Sequence, residues 1–259
     1  MFKAFVAAAA GLLLVTACGR SGPFSDMQQG ERGRVVRIID GDALVLDTGQ
    51  SVRLVGLEAP AMNWREKDPE PYAEASSRML DDLVMGRAVR LYYPGMTRDR
   101  YDRALAHVET ADAKGPHYWL NAEMLRRGGA RLRIYPDTDR ASEALAAAET
   151  EARAQRAGLW KEAAYLPAQA RALTPDARGF MLVWAELADE APLPEDTYGG
   201  PPACSRRTEG SALIIDVGHA ADAVCDLPPG TRVEVRGWVA DGRLELVHPL
   251  HVQDISDRN

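Results

Sequence analysis

The sequence predicts an α+β chain: a five-stranded β-barrel carrying three helices, followed by a second, smaller all-β domain. Three observations predict it. Short β-branched runs separated by turn residues fill the region after residue 33, helical spacing interrupts them and then replaces them up to Gly158, and strand patterning returns beyond a proline-rich break.

The chain begins MFKAFVAAAAGLLLVTAC, with an early lysine, an apolar run of signal-peptide length and small residues before Cys18. This is the pattern of an export signal. Val15-Thr16-Ala17-Cys18 resembles a bacterial lipobox, in which the cysteine is acylated and becomes the first residue of the mature protein. Gly19 stands where an aspartate would favour inner-membrane retention, so the resemblance implies a lipoprotein held in the outer membrane and facing the periplasm. Residues 19 to 32 are polar and Gly/Ser-rich and read as a tether.

From Gly33, GRVVRIID, DALVLDT and SVRLVGL read as three antiparallel strands joined by Asp-Gly and Thr-Gly-Gln turns. AEASSRMLDDLVMG places Ala75, Met79, Leu80, Leu83 and Val84 at helical spacing, with Gly86 as a stop. AVRLYYP and RALAHVE supply strands four and five around the polar MTRDRYD. YWLNAEMLRRGGA is an amphipathic helix ended by two glycines, and an Ala/Glu/Arg-rich helix spans residues 139 to 157. This order is that of an OB-type barrel with packed helices, over residues 33 to 165. After a linker at 166 to 174, GFMLVWAELAD, SALIIDVG, TRVEVRGWVA and RLELVHPLHVQDI form an OB-like all-β domain at 175 to 256, with Asp241-Gly242 turning its last hairpin.

The net charge of −7 excludes a general nucleic-acid coat protein and leaves room for a local basic cleft. With Cys18 assigned to lipid, Cys204 and Cys225 remain. In an oxidising compartment they can pair, closing a loop worth roughly 3 kcal/mol, whereas two thiols without CxxC or histidine spacing make a poor zinc site.

Asp40 and Asp42 flank Gly41 at the first turn, and Glu58 follows the third strand. The hairpin would bring these carboxylates together as hard oxygen ligands suited to Ca²⁺, with another divalent metal left open. A plain Asp-Gly turn with solvated acids is the alternative. Arg53 on the third strand and Arg103 at the start of the fifth would aim two guanidinium forks at the same place, which suits a phosphodiester. Surface ion pairs are the alternative for each.

IIDGDALVL, RLVGLEAP, RDRYDRALAHV, LNAEMLRRGGARLRIY and EALAAAETEARAQRAGLW resemble, in order and spacing, the thermonuclease or staphylococcal-nuclease-like family over about residues 33 to 161. The resemblance implies an OB-type barrel with three helices and Ca²⁺-dependent cleavage of DNA or RNA. It makes Asp42, Glu58 and the Ala59 carbonyl metal ligands with Asp40 nearby, Arg53 and Arg103 catalytic arginines acting on the phosphate, and Tyr101 a nucleotide-pocket residue. Ala61 departs from the pattern, because the family places there a glutamate that handles the attacking water. Glu66, Asp68, Glu70 and Glu74 follow in or just beyond a charged loop; a solvated loop is the favoured reading of this run, and a loop carboxylate that swings in as a substitute is the alternative.

Other features read as structural. His248 and His251, three apart on a strand, would point to opposite faces. Trp119, Trp160, Trp184 and Trp238 read as core or packing residues, RRGGARLR as a solvated helix end that can touch a phosphate backbone, and the second domain as a packing unit. Three functions stay open: an envelope nuclease, a non-catalytic nucleic-acid or nucleotide binding module, and a structural envelope lipoprotein using both barrels for protein contacts.

Overall fold

The computed structural model describes residues 22–62, 68–194 and 200–257; the export signal and Cys18 lie outside them. The first unit contains β1 (Gln28–Asp40), β2 (Ala43–Leu46), β3 (Ser51–Leu54), a two-residue β4 (Leu57–Glu58), α1 (Ala73–Val84), β5 (Ala88–Tyr93), β6 (Ala104–Thr110), α2 (Leu120–Arg126), β7 (Arg131–Leu132) and α3 (Ser142–Ala154). Strands β1, β2, β3, β6 and β5 close into a barrel in that order. One pair, β3 with β6, is parallel. Alternate positions fill the interior with Leu44, Val52, Leu54, Val89, Leu91, Ala104, Ala106 and Val108, all fully buried.

β1 starts five residues before the expected Gly33, so the last five residues of the expected tether belong to the barrel. Its first part, from Gln28 to Arg34, pairs with β5 and its second part, from Val35 to Asp40, with β2, with register shifts that bend the strand between the two partners. QQGER carries no apolar alternation because both its faces are largely solvated. Further upstream, Phe24 stacks on Tyr92 with ring centroids 4.3 Å apart and meets Trp119 edge-on. Inside, Asn121 ties α2 to the barrel: its amide donates to the Val55 and Ala106 carbonyls and accepts from the Val108 N–H, so this buried polar side chain is satisfied.

The second unit repeats the plan. β9 (Gly179–Glu190), β10 (Cys204–Thr208), β11 (Ile214–Val217), β12 (Arg232–Ala240) and β13 (Arg243–Leu246) pair in the ring β9-β10-β11-β13-β12, closed by β12 on β9. The β11–β13 pair is again parallel. β8 (Ala168–Gln169) and β14 (Val252–Asp254) extend its edges. The interval 166 to 174, expected as a linker, thus carries a strand, and Ala170 is buried against the second core. Asp241 and Gly242 both adopt positive φ at the β12–β13 hairpin, the backbone that Asp-Gly favours. Cys204 and Cys225 are bonded, with Cα atoms 6.0 Å apart, and pin β10 to a 3₁₀ turn at His219–Asp226.

The barrels meet along a polar seam. The outward positions of β12 face α3: Arg153 donates to both Glu234 oxygens (2.6 and 2.9 Å), and Arg236 pairs with Glu149 at 2.6 Å. Glu149 also accepts the Leu132 N–H (2.6 Å), and Arg131 donates to the Phe180 carbonyl (2.5 Å). His248 and His251 lie not along a strand but around a 3₁₀ turn at Pro249–His251, which brings their rings 5.8 Å apart. Three residues per turn put both on one side. His251 accepts the Ile134 N–H there.

Two of the buried imidazoles contribute to the acid response. Burial lowers His107 to about 4, with its Nε2 against the Arg140 carbonyl and its Nδ1 accepting from Trp119, and lowers His251 to about 2. Each binds its proton in the unfolded chain near pH 6.5 but not in the fold. Their stabilisation is therefore complete above pH 6.5 and lost as pH falls toward the folded values, with His107 alone worth roughly 3 kcal/mol. Unfolding free energy should decline over that window, and His107→Gln, whose amide has a donor for the Arg140 carbonyl and no ionisable group, should flatten the decline. An unchanged pH slope in the variant would refute this assignment.

Candidate active site

The turn from β1 to β2 sets the site. A Cβ added at Gly41 would lie 1.8 Å from Ser76 Oγ and 2.8 Å from Ala59 Cβ, so glycine is required where Asp40 and Asp42 approach α1. Asp42 points inward and is buried: its Oδ1 accepts from Arg53 Nη1 at 2.5 Å and its Oδ2 from the Ala59 N–H at 2.8 Å. Asp40 accepts the Asp42 N–H at 3.0 Å. Arg53, opposite Ala43 on β3, donates its other arm to Glu58 at 2.7 Å. The same Glu58 oxygen accepts from Arg133 Nη1 at 2.9 Å.

Burial is the largest influence on these groups. It pushes the Asp42 carboxyl well above the usual carboxylate range against the pull of Arg53. At Glu58 burial also pushes upward, but Arg53 and Arg133 outweigh it and hold the carboxyl low. Arg53 is desolvated as well, yet Asp42 and Glu58 keep its guanidinium firmly charged.

Two carboxylates and the Ala59 carbonyl are donors of the chemistry a hard cation prefers. Their placement differs from the expected cage, however. Among the described residues no three Asp, Glu, His or Cys side chains converge to hold a metal ion. The cause is Arg53, which fills the space between Asp42 and Glu58 and pairs with each.

Arg103 shares the outer face of the barrel with Arg53. Leu105, two residues on, is the register partner of Arg53, so the two arginines stand about 7 Å apart along the strand direction. The Arg103 guanidinium is turned onto Asp99 at 2.7 Å, within its own loop. Tyr101 is 66% exposed, with the Arg100 and Arg103 guanidinium carbons 4.8 and 5.7 Å from its ring centroid.

At Ala61 the backbone holds a carboxylate that the side chain lacks. The Ala61 N–H donates to Glu70 Oε2 at 3.0 Å, and the Glu70 N–H donates back to the Ala61 carbonyl at 2.9 Å. This reciprocal pair closes the charged loop at its base. Of the other acids, Asp68 is exposed, Glu74 lies on α1 beside Arg78, and Glu66 falls outside the described residues. Arg131 feels the charges of both Glu58 and Glu70. RRGGARLR divides: Arg126 and Arg127 pair with Glu123 on α2, whereas Arg131 is buried and Arg133, one-fifth exposed, is turned onto Glu58. Arg133 is the residue the sequence reading missed, and its two-residue spacing from Arg131 on an extended segment was the available signal.

A family model described as staphylococcal nuclease homologue matches residues 51–162. A thermonuclease of Staphylococcus intermedius is 31% identical over 146 residues, covering 54% of this chain and 84% of that protein. The chain belongs to the staphylococcal nuclease family. An uncharacterized endonuclease of Escherichia coli is 36% identical over 138 residues, covering 52% of this chain and 80% of its own. Protein ParB of Escherichia coli is 34% identical over 139 residues, 51% of this chain and 73% of that protein. The match to the staphylococcal nuclease family model ends with the first barrel, and the second barrel lies beyond it.

Proposed function

We propose that this chain is a phosphodiesterase acting on DNA or RNA, exported and tethered at the cell envelope through Cys18. The observation that carries the reading is Arg53, charged and one-fifth exposed, held between Asp42 and Glu58 in a chain of this family. Its fork is shaped for two phosphate oxygens, and moving it from carboxylates to substrate requires no new charge in the site. Arg103, already on the same face, would trade Asp99 for the phosphate or the departing oxygen. Asp42, Glu58 and the Ala59 carbonyl would hold calcium once Arg53 has turned to the substrate. A bound calcium ion supplies positive charge to the phosphoryl oxygens.

Glu70 takes the water-handling place left open at Ala61. Its carboxylate accepts the proton of the attacking water, the new P–O bond forms, the ester P–O bond breaks, and the departing oxygen is protonated from solvent. The bonded Cys204–Cys225 pair supports export into an oxidising compartment.

The test is digestion of single-stranded DNA by the purified protein with calcium and with EDTA. Glu70→Gln keeps the acceptor for the Ala61 N–H but cannot take a proton, so kcat should fall on the order of 10²-fold. Ala61→Glu in that background should restore it. A wild-type protein that binds nucleotide yet releases no product at high enzyme would instead be a non-catalytic binding module.

A further inference from the structure

We propose that the second barrel completes the substrate groove, with the Trp238 indole and the Tyr135 ring forming a stacking platform for a base of single-stranded nucleic acid bound at Arg53. The identity of the ligand rests on the phosphodiesterase reading; the location rests on geometry.

Glu234, Arg236 and Trp238 occupy successive outward positions of β12. The first two are buried in the seam against α3. Trp238 is where the seam ends: it remains 36% exposed, contrary to the packing role expected from sequence. It emerges beside the site. The Arg133 guanidinium lies 5.3 Å from its ring centroid and 4.9 Å from that of Tyr135, itself 42% exposed. Arg133 also donates to the Tyr135 hydroxyl and to Glu58, which holds Arg53. An unbroken row of contacts therefore runs from Arg53 through Glu58 and Arg133 to the two rings.

The charges along this row sort the parts of a nucleotide. Arg53 and Arg133 are each one-fifth exposed and can meet phosphate oxygens. Glu245, the register partner of Trp238, places negative charge beside the indole. Phosphate is disfavoured there, whereas the flat face of a base is not. Aromatic faces bind bases of any sequence, so the platform adds grip for a neighbouring nucleotide without base selectivity.

The experiment uses the whole protein and two probes: an oligothymidylate of eight nucleotides and methyl p-nitrophenyl phosphate, a phosphodiester that carries no nucleobase. Trp238→Leu keeps apolar bulk in the seam and loses the ring, and Trp238→Phe keeps a ring. Oligothymidylate affinity should fall about tenfold in Trp238→Leu and be largely restored in Trp238→Phe, with the small ester turned over at the wild-type rate. Equal oligonucleotide affinity in wild type and Trp238→Leu overturns the platform, as does a parallel loss on both probes, which would mark a structural role. If wild type handles neither probe, the phosphodiesterase reading falls and the platform with it. If it handles both and the variants match it, the platform alone falls.

Discussion

Arg53→Ala is expected to lower kcat/KM on single-stranded DNA by on the order of 10³-fold or more, because it removes the charge that meets the phosphoryl oxygens as they gain charge. It should also destabilise the fold. Arg53 is the charge partner of the buried Asp42, and deleting it leaves a desolvated carboxyl with the Ala59 N–H and the neighbouring Asp40 but no cation. A cost of about 2 to 3 kcal/mol follows, below that for a wholly buried pair because Arg53 keeps one-fifth of its side chain in contact with solvent. Arg53→Lys separates the two effects. An ammonium restores a positive partner for Asp42 but cannot span two carboxylates or chelate a phosphate, so stability should recover and activity should not. Steady-state kinetics and urea unfolding on the same preparations decide it. Activity within tenfold of wild type in Arg53→Ala would mean that the phosphate is bound elsewhere.

Glu149→Ala should be the most damaging substitution away from the site. Glu149 and Arg236 bury 97% and 92% of their side chains, and Glu149 alone also accepts the Leu132 N–H. Its removal leaves the Arg236 guanidinium inside the seam without its bonded carboxylate, holding only the Leu132 carbonyl, and leaves the Leu132 N–H unpaired, a loss of about 3 kcal/mol. The damage should reach the site, because Leu132 belongs to β7, whose partner β4 carries Glu58. The double variant Glu149→Leu with Arg236→Met, which replaces the pair by apolar volume, should regain most of the loss. Calorimetric melting checks both, and a wild-type melting temperature for Glu149→Ala would show that the seam contributes little.

Where the chain follows local rules, the sequence predicted it well. Both Asp-Gly turns, the inward alternation of the barrel strands and the helical spacing of α1 are consequences of backbone sterics and one-sided burial, and each was readable before any fold was known. β10 was not. Its CSRRT carries a buried arginine, Arg206, which is satisfied by the Ala188, Val224, Cys225 and Leu227 carbonyls, and no periodicity announces a charged core residue whose acceptors lie about 20 residues away. The edge part of β1 was missed for the opposite reason, since solvated faces leave no apolar signature. In the site, Asp40, Asp42, Arg53, Glu58, Tyr101 and Arg103 could be named from motif spacing. Glu70 at the Ala61 backbone and Arg133 on Glu58 depend on loop closure and on a two-residue strand pairing, both set by tertiary contacts.

The parallel pair within each barrel also bears on how the chain reaches its fold. β3 finds β6 only after about fifty residues have been gathered between them, whereas β11, which lies inside the Cys204–Cys225 loop, finds β13 after about thirty. Loop-closure entropy therefore weighs more heavily on the first barrel. During oxidative refolding the second barrel should form first and offer β12 as a finished surface on which α3 and β7 settle. The unit outside the family match would then serve as the template for the unit within it.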